Sequence, residues 1–239
     1  MATVAQSAPY STMHHRPLYA LLGGFLFFLV ALPAPDLVSG VIPYLLEGHY
    51  TFAFKSMRAM TVAEMFVFII AARSLLVWGY AGWAKQHGLF SVRMSLTRPD
   101  AAWCLAAAFV AIATAVIQSH FSGEPHHFTW VAFTRYWGVL PGIGDTILQY
   151  AYYVTEGFAI VWMVDAFQNA GEFAFPRLRF PWGAVGLMVT WGAGHYFSKD
   201  WRTAIYAVSI SCIIGLLHFA NRKDIWPSLI FWLLMPGGG

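Results

Sequence analysis

Long uncharged apolar runs, separated by short segments that hold nearly all the charge, organise this chain. A helix crosses a bilayer in about 20 mostly apolar residues, since each residue rises 1.5 Å across a hydrocarbon core about 30 Å thick. Seven segments meet or approach that length: Pro17 to Pro35, then roughly 60–82, 101–119, 145–165, 180–198, 203–221 and 225–236. The last is short and ends in Pro236 and three glycines. Pro35 to Leu46 is too short to span and reads as a re-entrant or interfacial helix, an eighth element. The pattern therefore predicts an all-α polytopic transmembrane helical bundle of about seven spans. No period of 20–50 residues recurs, so the chain reads as one integral membrane domain over 1–239, without solenoid or transporter-like repeats.

Composition sharpens this reading. The 239 residues are 59% hydrophobic and only 10% charged, with mean hydropathy +0.58, whereas soluble domains carry about 25% charged residues. That balance excludes both an ordinary soluble domain and a disordered chain. The 14 Lys and Arg are scattered singly or in pairs, so no basic stripe offers a footprint to nucleic acid. With seven spans and a cytoplasmic N-terminus, the cytoplasmic segments hold Arg16, Lys85, Arg93, Arg98, Arg177, Arg179, Arg222 and Lys223, against five basic residues on the opposite side. This asymmetry favours that orientation; the expected location is a bacterial-type inner or cytoplasmic membrane, which the charge count does not itself select. Cys104 and Cys212 sit inside apolar runs and read as small buried hydrophobes.

An ionisable group at bilayer depth is costly, and so marks a functional hypothesis with a partner to be named. Glu64 and Arg73 lie nine residues apart, on opposite faces of one helix, so each needs a partner elsewhere or an interfacial position. Glu156 stands in the middle of its run, one turn after Tyr150, Tyr152 and Tyr153. A buried carboxylate must be paired, metal-bound or protonated, and the last state suits general acid–base work. His195, in a run with Gly192, Ala193 and Gly194, is the matching base. His218 on the next span leaves open b-type haem ligation with His195, a weaker reading than polar packing between helices. His120, Glu124, His126 and His127 form a cluster in the long connection Ser119 to Gly144. Their spacing matches no metal motif, and a solvated or interfacial loop is the better reading. No cofactor is assigned.

The order Trp191-Gly-Ala-Gly-His195, an uncharged helix, then Asn221 to Trp226-Pro227 resembles the CAAX-protease and bacteriocin-processing family of intramembrane proteases, over about residues 145–236. That family carries a Glu-Glu-x-x-x-Arg motif, an aromatic-x-x-x-His motif one helix later and a final His-x-x-x-Asn or Asp motif. The resemblance places the first glutamate on Glu156 and the second motif on Trp191 and His195. It implies that these two residues activate a water, while the last motif stabilises the oxyanion. This chain has Gly157 for the second glutamate and Val161 for the arginine, and the third motif falls near Trp232 and Pro236, where no His occurs. Oxyanion donors are commonly worth a few kcal/mol each, so their loss costs orders of magnitude in rate unless Tyr152, Tyr153, Gln149 or a loop His substitutes.

Three functions follow as expectations. The first is a catalytically degenerate relative acting as a scaffold or assembly subunit for a partner membrane protein, with its cavity filled. The second is an active intramembrane endopeptidase, in which Glu156 and His195 face one polar cavity. A haem- or pigment-associated electron-transfer subunit is the distant third. Residues 1–140 are assigned to bundle packing, with Trp78, Trp83 and Trp103 as candidate contacts to partner transmembrane helices.

Overall fold

The computed structural model describes residues 15–48, 56–94, 98–122, 129–198 and 201–235, apart from the side chains of 98–100, 118–122, 129–132 and 198. Among them the chain is all-helical, with one isolated bridge pairing Arg93 and Asp224. The helices are α1 (Arg16–Leu26), α2 (Pro33–Ser39), α3 (Val41–Glu47), α4 (Ala59–Gln86), α5 (Arg98–Ser122), α6 (Thr129–Trp137), α7 (Val139–Ala174), α8 (Trp182–Leu187), α9 (Ala193–Ser198), α10 (Trp201–Ala220) and α11 (Ile225–Leu234). A π turn at Phe27–Ala31 joins α1 towards α2, and another at Met188–Gly192 joins α8 to α9. The run Arg16–Glu47, α4 and α10 are each long and apolar enough to cross a membrane. Shorter apolar helices cover Ala101–Ile117 and Ile225–Leu234.

The expected separate segment from Pro35 to Leu46 is the continuation of the first helical run. Proline supplies no amide hydrogen, so Pro35 leaves the Ala31 carbonyl without its normal i+4 donor. Arg73 Nε on α4 donates to that carbonyl at 3.3 Å, and its Nη2 donates to Leu32 O at 2.9 Å. The side chain of a neighbouring helix thus satisfies the backbone carbonyl that Pro35 frees, as burial of a polar group requires. At the far end of the run, Glu47 Oε1 accepts from the Arg58 amide at 3.0 Å and from Thr61 Oγ1, tying α3 to the start of α4.

The 36-residue α7 is the central strut, about 54 Å long at 1.5 Å per residue. Every residue from Ala159 to Ala170 is buried, so this stretch is enclosed on all sides by α1, α4, α8, α10 and α11. Trp162 anchors the core, its ring 5.7 Å from Trp78, 5.2 Å from Phe90 and 5.4 Å from Phe158. Pro176 lies just beyond its last turn and cannot continue it.

A buried polar latch closes the end of the bundle where α7 finishes. Asp165 accepts from the Ser91 amide at 3.0 Å, from Ser91 Oγ at 2.7 Å and from Asn169 Nδ2 at 3.0 Å. His218 Nε2 of α10 lies 3.5 Å from the same carboxylate. Asn169 also donates to Leu89 O at 2.8 Å and accepts from Lys223 Nζ at 2.7 Å. The α4–α5 connection is thereby fastened to α7 and to the turn after α10.

Candidate functional site

Arg73 stands half-way along α4 and is 0% exposed, a guanidinium at the middle of a membrane-length helix. Its Nη2 pairs with Asp36 Oδ2, and its Cζ lies 4.6 Å from the ring centre of Tyr152. Tyr152 thus stands beside both Arg73 and Asp36. Arg73 has therefore found the partner its position demands. Glu64, by contrast, is exposed near the start of α4, the interfacial alternative.

Glu156 stands half-way along α7, half-buried, one turn beyond Tyr152. It lies in electrostatic range of Arg73, Tyr152 and Tyr153. The structure thus gathers Asp36, Arg73, Tyr152 and Glu156 from three helical runs into one mid-bundle cluster. The cation acting on Glu156 comes from α4, while Val161, five residues on, is buried and apolar.

His195 lies on α9, half-buried. Its Nδ1 is 2.7 Å from the Trp191 carbonyl, and a carbonyl only accepts, so Nδ1 carries the hydrogen. Its ring also packs edge-on against Trp191 at 4.4 Å. Trp191 meets Trp232 of α11 at 5.6 Å, and Trp232 Nε1 donates to Tyr153 O at 2.9 Å. A Cβ on Gly157 would lie 2.7 Å from Trp232 Cδ1. Trp232 therefore bridges the turn bearing Glu156 and the turn bearing His195, seated in the notch that Gly157 leaves.

His218 is buried in the latch, where its Nε2 faces Asp165. The side chain of His120, and Glu124, His126 and His127 entirely, lie outside the described residues. Among the described residues no group of three His, Cys, Asp or Glu is placed to hold a metal ion. Cys104 is buried and Cys212 half-buried.

Sequence reasoning missed Asp36 and Asp165. Asp36 lay in the segment set apart as interfacial, and Asp165 at the edge of a predicted span, so neither was weighed as an intramembrane charge. The available signal was the uncancelled Arg73, which required an acid at its own depth.

No protein-family model, curated protein or solved structure matches the chain. The functional reading accordingly rests on the residues themselves.

Proposed function

We propose that this chain is a polytopic protein of a bacterial-type inner membrane, crossing seven times from a cytoplasmic N-terminus. In this reading it is a non-proteolytic relative of the CAAX-protease and bacteriocin-processing family, and it acts as a scaffold or assembly subunit for a partner membrane protein. The observation that carries this is Trp232. Where the family pattern calls for an oxyanion-stabilising histidine, an indole fills the space beside Gly157 and Trp191 and spends its one donor on the Tyr153 carbonyl. Gly157 and Trp232 are complementary, the second glutamate's absence making room for the third motif's replacement. Trp78, Trp83 and Trp103 are exposed on α4 and α5, where a partner helix can reach them.

The endopeptidase remains the second reading because of two observations: Glu156 is half-buried within reach of a cation, and the His195 tautomer is set by the Trp191 carbonyl of the preceding π turn. The two are separated by reconstituting the wild type, Glu156→Gln and His195→Ala in liposomes with a prenylated CAAX peptide. The expected result is no cleavage above empty liposomes in any of the three. Wild-type turnover abolished by Glu156→Gln overturns the non-proteolytic reading. Photo-crosslinkers at positions 83 and 103 in native membranes test the scaffold. A discrete protein adduct, retained in Glu156→Gln, is expected, and lipid adducts alone refute it.

A further inference from the structure

The basic end of the bundle contains a cavity of about 750 Å³ between the α7–α8 connection and the turn after α10. Arg179, Arg222, Lys223 and Glu172 line it, with Phe180 and Phe219 among its apolar walls. Lys223 Nζ is held by Glu172 Oε2 at 2.6 Å and by Asn169 Oδ1, so these two side chains balance each other's charge. Arg179 and Arg222 are exposed, and among the described residues neither enters an ion pair, so two solvent-facing guanidinium groups border one cavity. We propose that this cavity binds a phosphate-bearing anion, the headgroup of an anionic phospholipid.

Three features point there. Two arginines from different elements line one space, and guanidinium matches phosphate oxygens bidentately. Arg222 and Lys223 are both left-handed, with φ 52° and 64°, at successive positions where glycine is favoured. The α10 C-terminal dipole accounts for a cation in this turn, but not for Arg179 arriving from the α7–α8 connection. Finally, apolar walls beside the cations suit a headgroup joined to its glycerol and acyl chains better than a bare anion. Trp182 and Trp226 stand at the starts of α8 and α11 at the same end, and basic pockets at the cytoplasmic face recognise such lipids. The inference rests on the proposed membrane crossing for the depth of the pocket, and not on the scaffold or protease assignment.

The test is native mass spectrometry of the full chain in detergent, titrated separately with phosphatidylglycerol, phosphatidylcholine and inorganic phosphate. Wild type is expected to retain phosphatidylglycerol over phosphatidylcholine. Arg179→Gln with Arg222→Gln should weaken phosphatidylglycerol binding about tenfold or more, while Arg135→Gln with Arg202→Gln, removing equal charge at the other end, should not. Glu172→Gln removes the one acid at the cavity and should tighten binding severalfold, which keeps the proposal testable if the double variant unfolds. Arginine-dependent binding of inorganic phosphate without any phosphatidylglycerol preference assigns the cavity to a soluble anion and overturns the lipid. Equal retention of both lipids with no phosphate bound, or equal losses in the two double variants, overturns the site. Seven-crossing topology fails by a separate readout, the sidedness of engineered cysteines, so the two ideas fail distinguishably.

Discussion

Trp232 rests on Gly157. The indole Nε1 donates to the carbonyl of Tyr153, which a side chain on residue 157 would cover, one turn along the same helix. Adding a methyl group at Gly157 brings it 2.7 Å from Trp232 Cδ1 and 2.8 Å from Leu229 Cδ1, and the indole is rigid. Gly157→Ala gains about 1 kcal/mol of helix propensity but incurs about 1–3 kcal/mol of overpacking. A net loss of up to about 2 kcal/mol is expected, lowering Tm by about 2–4 °C per kcal/mol. Gly79→Ala is the control, since nothing lies within 4 Å of its Cβ position. It should be neutral or raise Tm. Thermal unfolding in detergent reads both signs, and a stabilised Gly157→Ala would refute the filled notch.

Arg73 and Asp36 form the second testable pairing. Removing one partner of a fully buried ion pair costs about 3–5 kcal/mol; here Arg73 is buried but the Asp36 side chain is 38% exposed, which lowers the cost to on the order of 1–3 kcal/mol. Asp36→Ala is expected to destabilise by that order, with Glu156 and the Tyr152 ring offsetting part of the loss. Arg73→Met combined with Asp36→Leu removes both charges and should recover much of the stability, although the Ala31 and Leu32 carbonyls then lose their donor. A double-mutant cycle measures the coupling. Additive losses would show that the pair does not hold α2 to α4.

These two pairs also mark where the sequence could and could not be read. Apolar run length located the helices, because crossing a membrane imposes a length that composition reveals. The ends failed where polar residues continue a helix: α7 begins at Val139 and ends at Ala174, well outside the 145–165 run. Pro33 and Pro35 read as an end, yet the helical run persists, with Arg73, about 40 positions away, capping the Ala31 carbonyl that Pro35 frees and the adjoining Leu32 carbonyl. Glu156 and Arg73 were visible as singular charges. Asp36 was not, since its depth depends on the broken helix continuing. Trp232 could be read only as a missing histidine, because its fit to Gly157 is a tertiary fact between residues 75 apart.

The latch yields a local prediction. Asp165 collects donors from Ser91 and Asn169 and faces His218, so Asp165→Leu strands several buried polar groups. Each stranded group costs about 1–3 kcal/mol. The first consequence should be local opening, because residues 89–93 are held largely through this network. Amide exchange is expected to accelerate in 89–93 before α4 itself loses protection. Simultaneous exposure of α4 would instead show that the network holds the whole bundle.

The basic segments supply a topological prediction. Lys223 bonds to Glu172, Arg93 pairs with Asp224, and Arg16 approaches Gly88, so the ends of α4, α7 and α10 meet the start of α1. Arg135 precedes α7 and Arg202 opens α10, placing both at the opposite end. In a Cys104→Ala, Cys212→Ala background, Arg177→Cys and Arg222→Cys should resist an impermeant maleimide in intact cells and react after permeabilisation. Arg135→Cys and Arg202→Cys should react in intact cells. A mirror-image pattern would invert the orientation while keeping seven crossings, overturning only the positive-inside assignment. If Arg177→Cys and Arg202→Cys label from the same side, the 17 residues from Trp182 to Ser198 do not cross. The span count and the family-like order of helices would then fall together.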